Sequence, residues 1–185
     1  QFGFLKGKSR FDPTGERNFK DVLEFLDDPL ISEKPFYLQL DLGQPHVPLK
    51  PEQKWLDLYA ESEIKLDPNF KESPDSLSIY NQGLPGQLYF ANHDYRNNYK
   101  NLPSGPPRAA DTMKMFIKAY YAMISQMDNQ IGKFVDDLKS RGLWENTVFI
   151  FLSDNGYFLG NHGLGNKINM MEESVRIPLF IHWDG

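Results

Sequence analysis

The stretch Thr147-Val148-Phe149-Ile150-Phe151-Leu152-Ser153-Asp154-Asn155-Gly156 decides how this chain folds. Its first part is a near-continuous apolar run, rich in aromatic and β-branched side chains, of the kind shown by a strand covered on both faces in a parallel sheet. Ser-Asp-Asn-Gly then switches abruptly to short polar side chains and glycine, which ends a strand and opens a loop. A strand predicted over 147–152 therefore delivers Asp154 and Asn155 to its carboxyl end. In open α/β sheets ligands bind beyond that edge.

Upstream, Met113, Phe116, Tyr120, Ile124, Met127, Ile131, Phe134 and Leu138 recur at steps of three and four. That spacing predicts one long amphipathic helix. Lys139 and Arg141 suit its last turn, and Gly142 ends it. Further upstream, Phe36-Tyr37-Leu38-Gln39-Leu40 follows Lys34-Pro35 and has the length and aromatic content of a second buried strand. Strand, long helix and strand make a right-handed crossover, so the two strands are expected to be parallel. A helix is predicted over 16–27, from Phe19, Val22, Leu23 and Leu26, with Asp12 or Thr14 as its cap. A short helix is predicted from Pro51 to about Tyr59, and a last strand over 179–183. Residues 61–108, rich in Pro, Asn, Asp, Ser and Gly, form an irregular insertion expected to shape a binding site.

Apolar residues make up 40% and aromatic residues 14% of the 185 residues, enough for a packed core and against disorder. The length suits a single domain spanning 1–185. A net charge of −5 with scattered Lys and Arg argues against nucleic acid as a partner. There is no cysteine, which removes disulfides, thiolate metal sites and a cysteine nucleophile within these residues. No apolar run approaches the ~20 residues of a membrane span. Gln1-Phe2-Gly3-Phe4 is not a signal peptide and reads like the interior of a longer polypeptide.

Asp154 and Asn155 offer an acid and an amide side by side, hard oxygen ligands suited to calcium or magnesium. Gly156 is expected to let the backbone turn so that both can face one ion. Asp-Asn-Gly is also a strong turn former, and on spacing alone turn chemistry is the favoured reading of the two. His46 sits in Gly43-Gln44-Pro45-His46-Val47-Pro48, where two prolines restrict the backbone around it. Taken singly, His46 reads as a structural loop residue, Lys167 as a solvated lysine, and His162 as ambiguous.

Together they say more. Ser153-Asp154-Asn155-Gly156, Leu159-Gly160, His162-Gly163-Leu164, Lys167 and Glu172-Glu173-Ser174-Val175-Arg176-Ile177-Pro178-Leu179 closely resemble a sulfatase block. Lys34-Pro35-Phe36-Tyr37 followed by Pro45-His46-Val47-Pro48 is similar to that family's histidine loop. Tyr120-Tyr121-Ala122, Asp128, Ile131-Gly132, Leu138, Gly142 and Asn146-Thr147 resemble its long helix and exit. Order and spacing agree over residues 34–182.

The resemblance implies an alkaline-phosphatase-like α/β fold, of which this chain is a partial domain, with a mixed, mostly parallel sheet flanked by helices. It implies that Asp154 and Asn155 are ligands of a catalytic calcium, magnesium in some members. It makes His46 and Lys167 the catalytic pair that holds sulfate oxygens, and His162 a residue near the substrate. Glu172 and Arg176 are expected to brace the loop through an ion pair, and His93 and His182 match no site. The implied substrate is a sulfated small molecule or sulfated glycan, and the implied location periplasmic or secreted.

In the family the attacking group is a formylglycine made from Cys or Ser in a Cys/Ser-x-Pro-x-Arg motif near the N-terminus, with two more metal-binding acids upstream. Ser104-Gly105-Pro106-Pro107-Arg108 fits that pattern but lies after the histidine loop, on the wrong side of it. It reads as an ordinary loop, and this chain alone is expected to be inactive. The alternatives are a phosphomonoester, phosphodiester or phosphonate hydrolase of the same superfamily, and a non-catalytic fragment.

Overall fold

The computed structural model describes residues 15–29, 35–47, 49–71, 110–167 and 170–184. Asp12, Thr14, His93 and Ser104, with residues 72–108 of the insertion, lie outside these.

The backbone of the fold is the long helix. The elements are α1 (Glu16–Leu26), α2 (Gln53–Leu56), α3 (Ala110–Ser140), β1 (Phe149–Leu152), β2 (Phe158–Leu159), β3 (Gly165–Asn166), α4 (Glu172–Val175) and β4 (Leu179–His182). α3 ends as its sequence demands. Gly142 takes φ +65°, its N–H reaches Lys139 O at 3.0 Å, and the Leu143 N–H reaches Leu138 O at 2.9 Å. This is a Schellman ending, which satisfies carbonyls that the helix leaves orphaned.

The buried face of α3 is wider than the predicted stripe. Ala119, Ala122 and Met123 are fully buried, whereas Ile124 is 37% exposed. The physical reason is that α3 is covered on two sides. Its C-terminal half meets α1, where Phe19, Val22 and Leu26 pack against Phe134 and Leu138. Its N-terminal half meets Leu49, Ile64 and Phe70, joined by Tyr157 and Leu159 from beyond β1. Arg141 ties the two helix ends together, bonding Asp27 at 2.7 Å and Asp137 at 2.5 Å. Those hydrogen bonds raise the guanidinium pKa above its ordinary value, the bond to Asp27 most.

Three expectations need correction. Residues 36–40 are not a paired strand among the described residues. They keep a strand's alternation: Phe36, Leu38, Leu40 and Leu42 pack against the α1–α3 cluster, while Tyr37, Gln39 and Asp41 face outward. A strand covered on both faces would bury these outward positions too, but they are bonded to each other along the segment instead. β1 pairs antiparallel with β4, in register Phe149↔His182 to Leu152↔Leu179, rather than in parallel with 36–40. The chain leaves Leu152, runs through the loops of the site and returns to the same strand, which reverses its direction. Ile150 and Leu152 remain 54% and 55% exposed, so the described residues cover β1 on one face only. Finally, the helix expected from Pro51 to Tyr59 is a single turn, α2, with 3₁₀ turns at Glu61–Glu63 and Pro68–Lys71 after it. Proline and scattered polar residues there offer no repeating apolar stripe to extend it.

Candidate active site

Beyond β1 the chain forms a loop system anchored on α4, a four-residue helix. Met171 enters it in an extended conformation, and Ser174 on it is 4% exposed. The first anchor follows Asp154 and Asn155 directly. The Gly156 N–H donates to Ser174 O at 2.8 Å. A Cβ placed at Gly156 would lie 2.1 Å from Glu173 O, so only glycine lets this loop touch the helix backbone. Gly156 does not adopt a positive φ among the described residues. The glycine is therefore explained by close approach to α4, not by the sharp turn read from the sequence.

The Asp154–Asn155 pair is oriented by local bonds. Ser153 Oγ donates to Asn155 O at 2.6 Å, and Asn155 Nδ2 donates to Gly156 O at 2.7 Å. The amide nitrogen is thus committed to the backbone, so a cation would be met by the amide oxygen. Asp154 is exposed. The two oxygen donors fit calcium or magnesium in kind but make only part of a shell of about 6–8 ligands. Among the described residues no group of three His, Cys, Asp or Glu side chains converges to complete one.

The second anchor holds Lys167, just past β3, whose strand pairs antiparallel with β2. The Ser174 hydroxyl donates a hydrogen bond to the Lys167 carbonyl. The third holds His162. Its Nε2 lies 3.4 Å from Glu173 Oε1, and its backbone takes φ +55°, unusual for a residue with a side chain. Consecutive residues Glu173 and Ser174 thereby tie down the loops carrying Asn155, His162 and Lys167. The ion pair expected between Glu172 and Arg176 is present at 3.6 Å but is largely exposed. Such pairs contribute little, so the bracing falls to Glu173 and Ser174.

His46 belongs to a different loop. Its N–H reaches Gly43 O at 2.9 Å and its Nδ1 lies 2.6 Å from Val47 O. With Nδ1 engaged by a carbonyl, the ring's other nitrogen is the one a ligand would meet. Val47 packs on the cluster that includes Tyr157 and Leu159, so the His46 loop and the post-β1 loop share one core. Within it Tyr120 sits against Tyr157, ring centroids 5.7 Å apart, and burial pushes its phenol up to about 12. His182, unassigned by the sequence, stacks on Trp144 at 4.3 Å.

Sequence reasoning missed Asn69 and Ser174. Serine within a charged helix carries no distinguishing signal. Asn69 lies in the aperiodic insertion, and only its fold contact with His162 singles it out.

This helix-backed loop system beyond the strand ends is that of an alkaline-phosphatase-like α/β fold. The phosphonate monoester hydrolase of Agrobacterium radiobacter superposes on it with a TM-score of 0.69 at 20% identity, covering 88% of this chain and 31% of that one. The family model described as Sulfatase matches residues 8–185, and the chain belongs to the sulfatase family. A sulfatase of Formosa agariphila is 33% identical over 152 residues, covering 80% of this chain and 27% of that protein. The iduronate 2-sulfatase of Mus musculus is 28% identical over 172 residues, covering 92% of this chain and 30% of that protein. The chain thus spans less than a third of the length of either relative.

Proposed function

We propose that these residues form the metal- and sulfate-holding part of a sulfatase active site, acting on a sulfated small molecule or sulfated glycan. The observation that carries this reading is the shared anchoring of the Asn155 and Lys167 loops on Ser174. Two oxygen ligands and a cation are thereby held against one element. A sulfate ester presents anionic oxygens, and charge grows on them and on the leaving oxygen as the S–O bond breaks. Preorganised positive charge stabilises that build-up. Asp154 and Asn155 would hold calcium, or magnesium, which supplies such charge when bound.

Lys167 supplies a cation toward the sulfate oxygens. His46, with Nδ1 engaged by Val47 O, presents Nε2 to the sulfate and can hold or deliver a proton at that atom. The attacking formylglycine and the remaining metal-binding acids are not supplied by the described residues. We assign them to residues outside this chain, in keeping with its share of its relatives' length. The phosphonate hydrolase neighbour shares the fold, and hydrolysis of a phosphonate or phosphate ester is the alternative reading.

The test is aryl sulfate hydrolysis by the sulfatase polypeptide carrying these residues, with His46→Ala and Lys167→Ala each expected to lower kcat/KM. Unchanged hydrolysis in both variants would overturn the assignment. The 185-residue chain by itself is expected to be inactive. Turnover by it that is lost in His46→Ala would contradict this and redirect attention to Ser104, whose conversion to formylglycine mass spectrometry can read.

A further inference from the structure

The resemblance makes His162 a substrate contact, but its surroundings give it another task. The turn Pro68–Lys71 and the turn Asn161–Gly163 stand 93 positions apart, yet one side chain joins them. The His162 N–H donates to Asn69 Oδ1 at 3.1 Å, and Asn69 Nδ2 lies 3.1 Å from His162 Nε2. Asn69 therefore grips both the backbone and the ring of one residue. The same Nε2 is 3.4 Å from Glu173 Oε1, so it lies between a donor and an acceptor. When Nε2 carries no hydrogen it accepts from Asn69, and when it carries one it donates to Glu173. Either state leaves one arm engaged.

Apolar contact reinforces the grip. Gly160, at φ +95°, lies so close to Phe70 and Met113 that a Cβ would meet them at 2.7 and 2.9 Å. A left-handed backbone at a residue with a Cβ costs about 1 kcal/mol and persists only where the surroundings hold it. Here Asn69, Glu173 and Phe70 do so. From His162 the chain reaches Lys167 through Gly163, Leu164 and Gly165, all buried, and through β3 paired to β2. Lys167 is then bonded at its carbonyl by Ser174. The segment 162–167 is thus a short link fixed at both ends, with His162 as one of them.

We propose that His162 is a positioning residue, clamped by Asn69 and Glu173, that sets the place of Lys167 and makes no sulfate contact of its own. This rests on the reading of Lys167 as a sulfate-holding cation. It also gives residues 61–71 of the insertion a role in catalysis, through Asn69.

The experiment is a set of double-mutant cycles on kcat/KM for an aryl sulfate, in the sulfatase polypeptide carrying this chain. Asn69→Ala and His162→Ala are each expected to lower kcat/KM by roughly 10- to 100-fold, the scale of a 1 Å misplacement. Their double variant is expected to be no worse than the more damaged single one, because both remove the same clamp. In a Lys167→Ala background neither should cause further loss, a coupling that general destabilisation would not produce. Should Asn69→Ala fail to accumulate, Asn69→Ser, too short to span both contacts, carries the same cycle.

A direct sulfate contact predicts otherwise: a large loss in His162→Ala, a small one in Asn69→Ala, and additive losses on top of Lys167→Ala. That pattern overturns the proposal while leaving the sulfatase reading intact. Undiminished activity in Lys167→Ala would instead overturn the reading on which it rests.

Discussion

Replacing Gly156 with alanine tests the argument that α4 anchors the site. The added Cβ would sit 2.1 Å from Glu173 O and 3.0 Å from both Glu173 C and Arg176 O, all backbone atoms. No side-chain rotamer can relieve contacts with backbone. Ordinary contact needs about 3.5 Å, so loop and helix must part by on the order of 1 Å. That breaks the 2.8 Å bond from the Gly156 N–H to Ser174 O. Overpacking of this kind costs about 1–3 kcal/mol, and a lost hydrogen bond about 1 more. The expected destabilisation is about 2–4 kcal/mol, a fall of a few °C in the Tm of the longer polypeptide. Because Asn155 precedes the separated residue, kcat/KM should fall by about 100-fold as well. Calorimetry and aryl sulfate kinetics on the complete sulfatase polypeptide read the two effects. A Gly156→Ala enzyme that melts with its parent and turns over at the parental rate would refute the close-approach argument.

Gly132, on the exposed face of α3, should behave oppositely, because a Cβ added there would meet nothing within 4 Å. Gly132→Ala is expected to stabilise by about 0.5–1 kcal/mol in thermal unfolding. Asp154→Ala should weaken calcium binding by about 10-fold or more in calorimetry on the same polypeptide, and unchanged affinity would remove Asp154 from the metal shell. Burial holds the Tyr120 phenol neutral up to about 12 against an ordinary 10.0, so its contribution is intact below pH 10 and is lost as pH rises from there toward 12. The loss should reach about 2–3 kcal/mol in denaturant titrations, and Tyr120→Phe should abolish that alkaline slope. Arg141→Met, which breaks the bridge from α3 to Asp27, should cost about 1 kcal/mol, less at high salt.

Periodic features were legible in the sequence because a repeating pattern reports burial without reference to distant residues. The α3 repeat, its glycine ending, β1 and β4 all follow from such patterns. The alternation of Phe36, Leu38, Leu40 and Leu42 was equally present, but hydrophobicity does not say which strand lies alongside. Pairing is a choice among distant partners, so the antiparallel β1–β4 ladder could not be read from either strand alone. The width of the α3 core face was missed for the same reason: Ala119 and Ala122 count for little in a hydrophobic stripe until two layers close over them.

The candidate site divides along the same line. Asp154, Asn155, His46, His162 and Lys167 are candidates through the motifs they share with the family, since ligand chemistry resides in the side chain itself. What holds them was not. The Gly156 contact, the Ser174 bonds and the Asn69–His162–Glu173 clamp all join residues through backbone atoms or across long sequence separations. By itself the sequence determined the chemical groups and the order in which the chain presents them. The tertiary structure alone decided which loops share an anchor, because hydrogen bonds and close packing depend on distances of a few tenths of an ångström that no local pattern encodes.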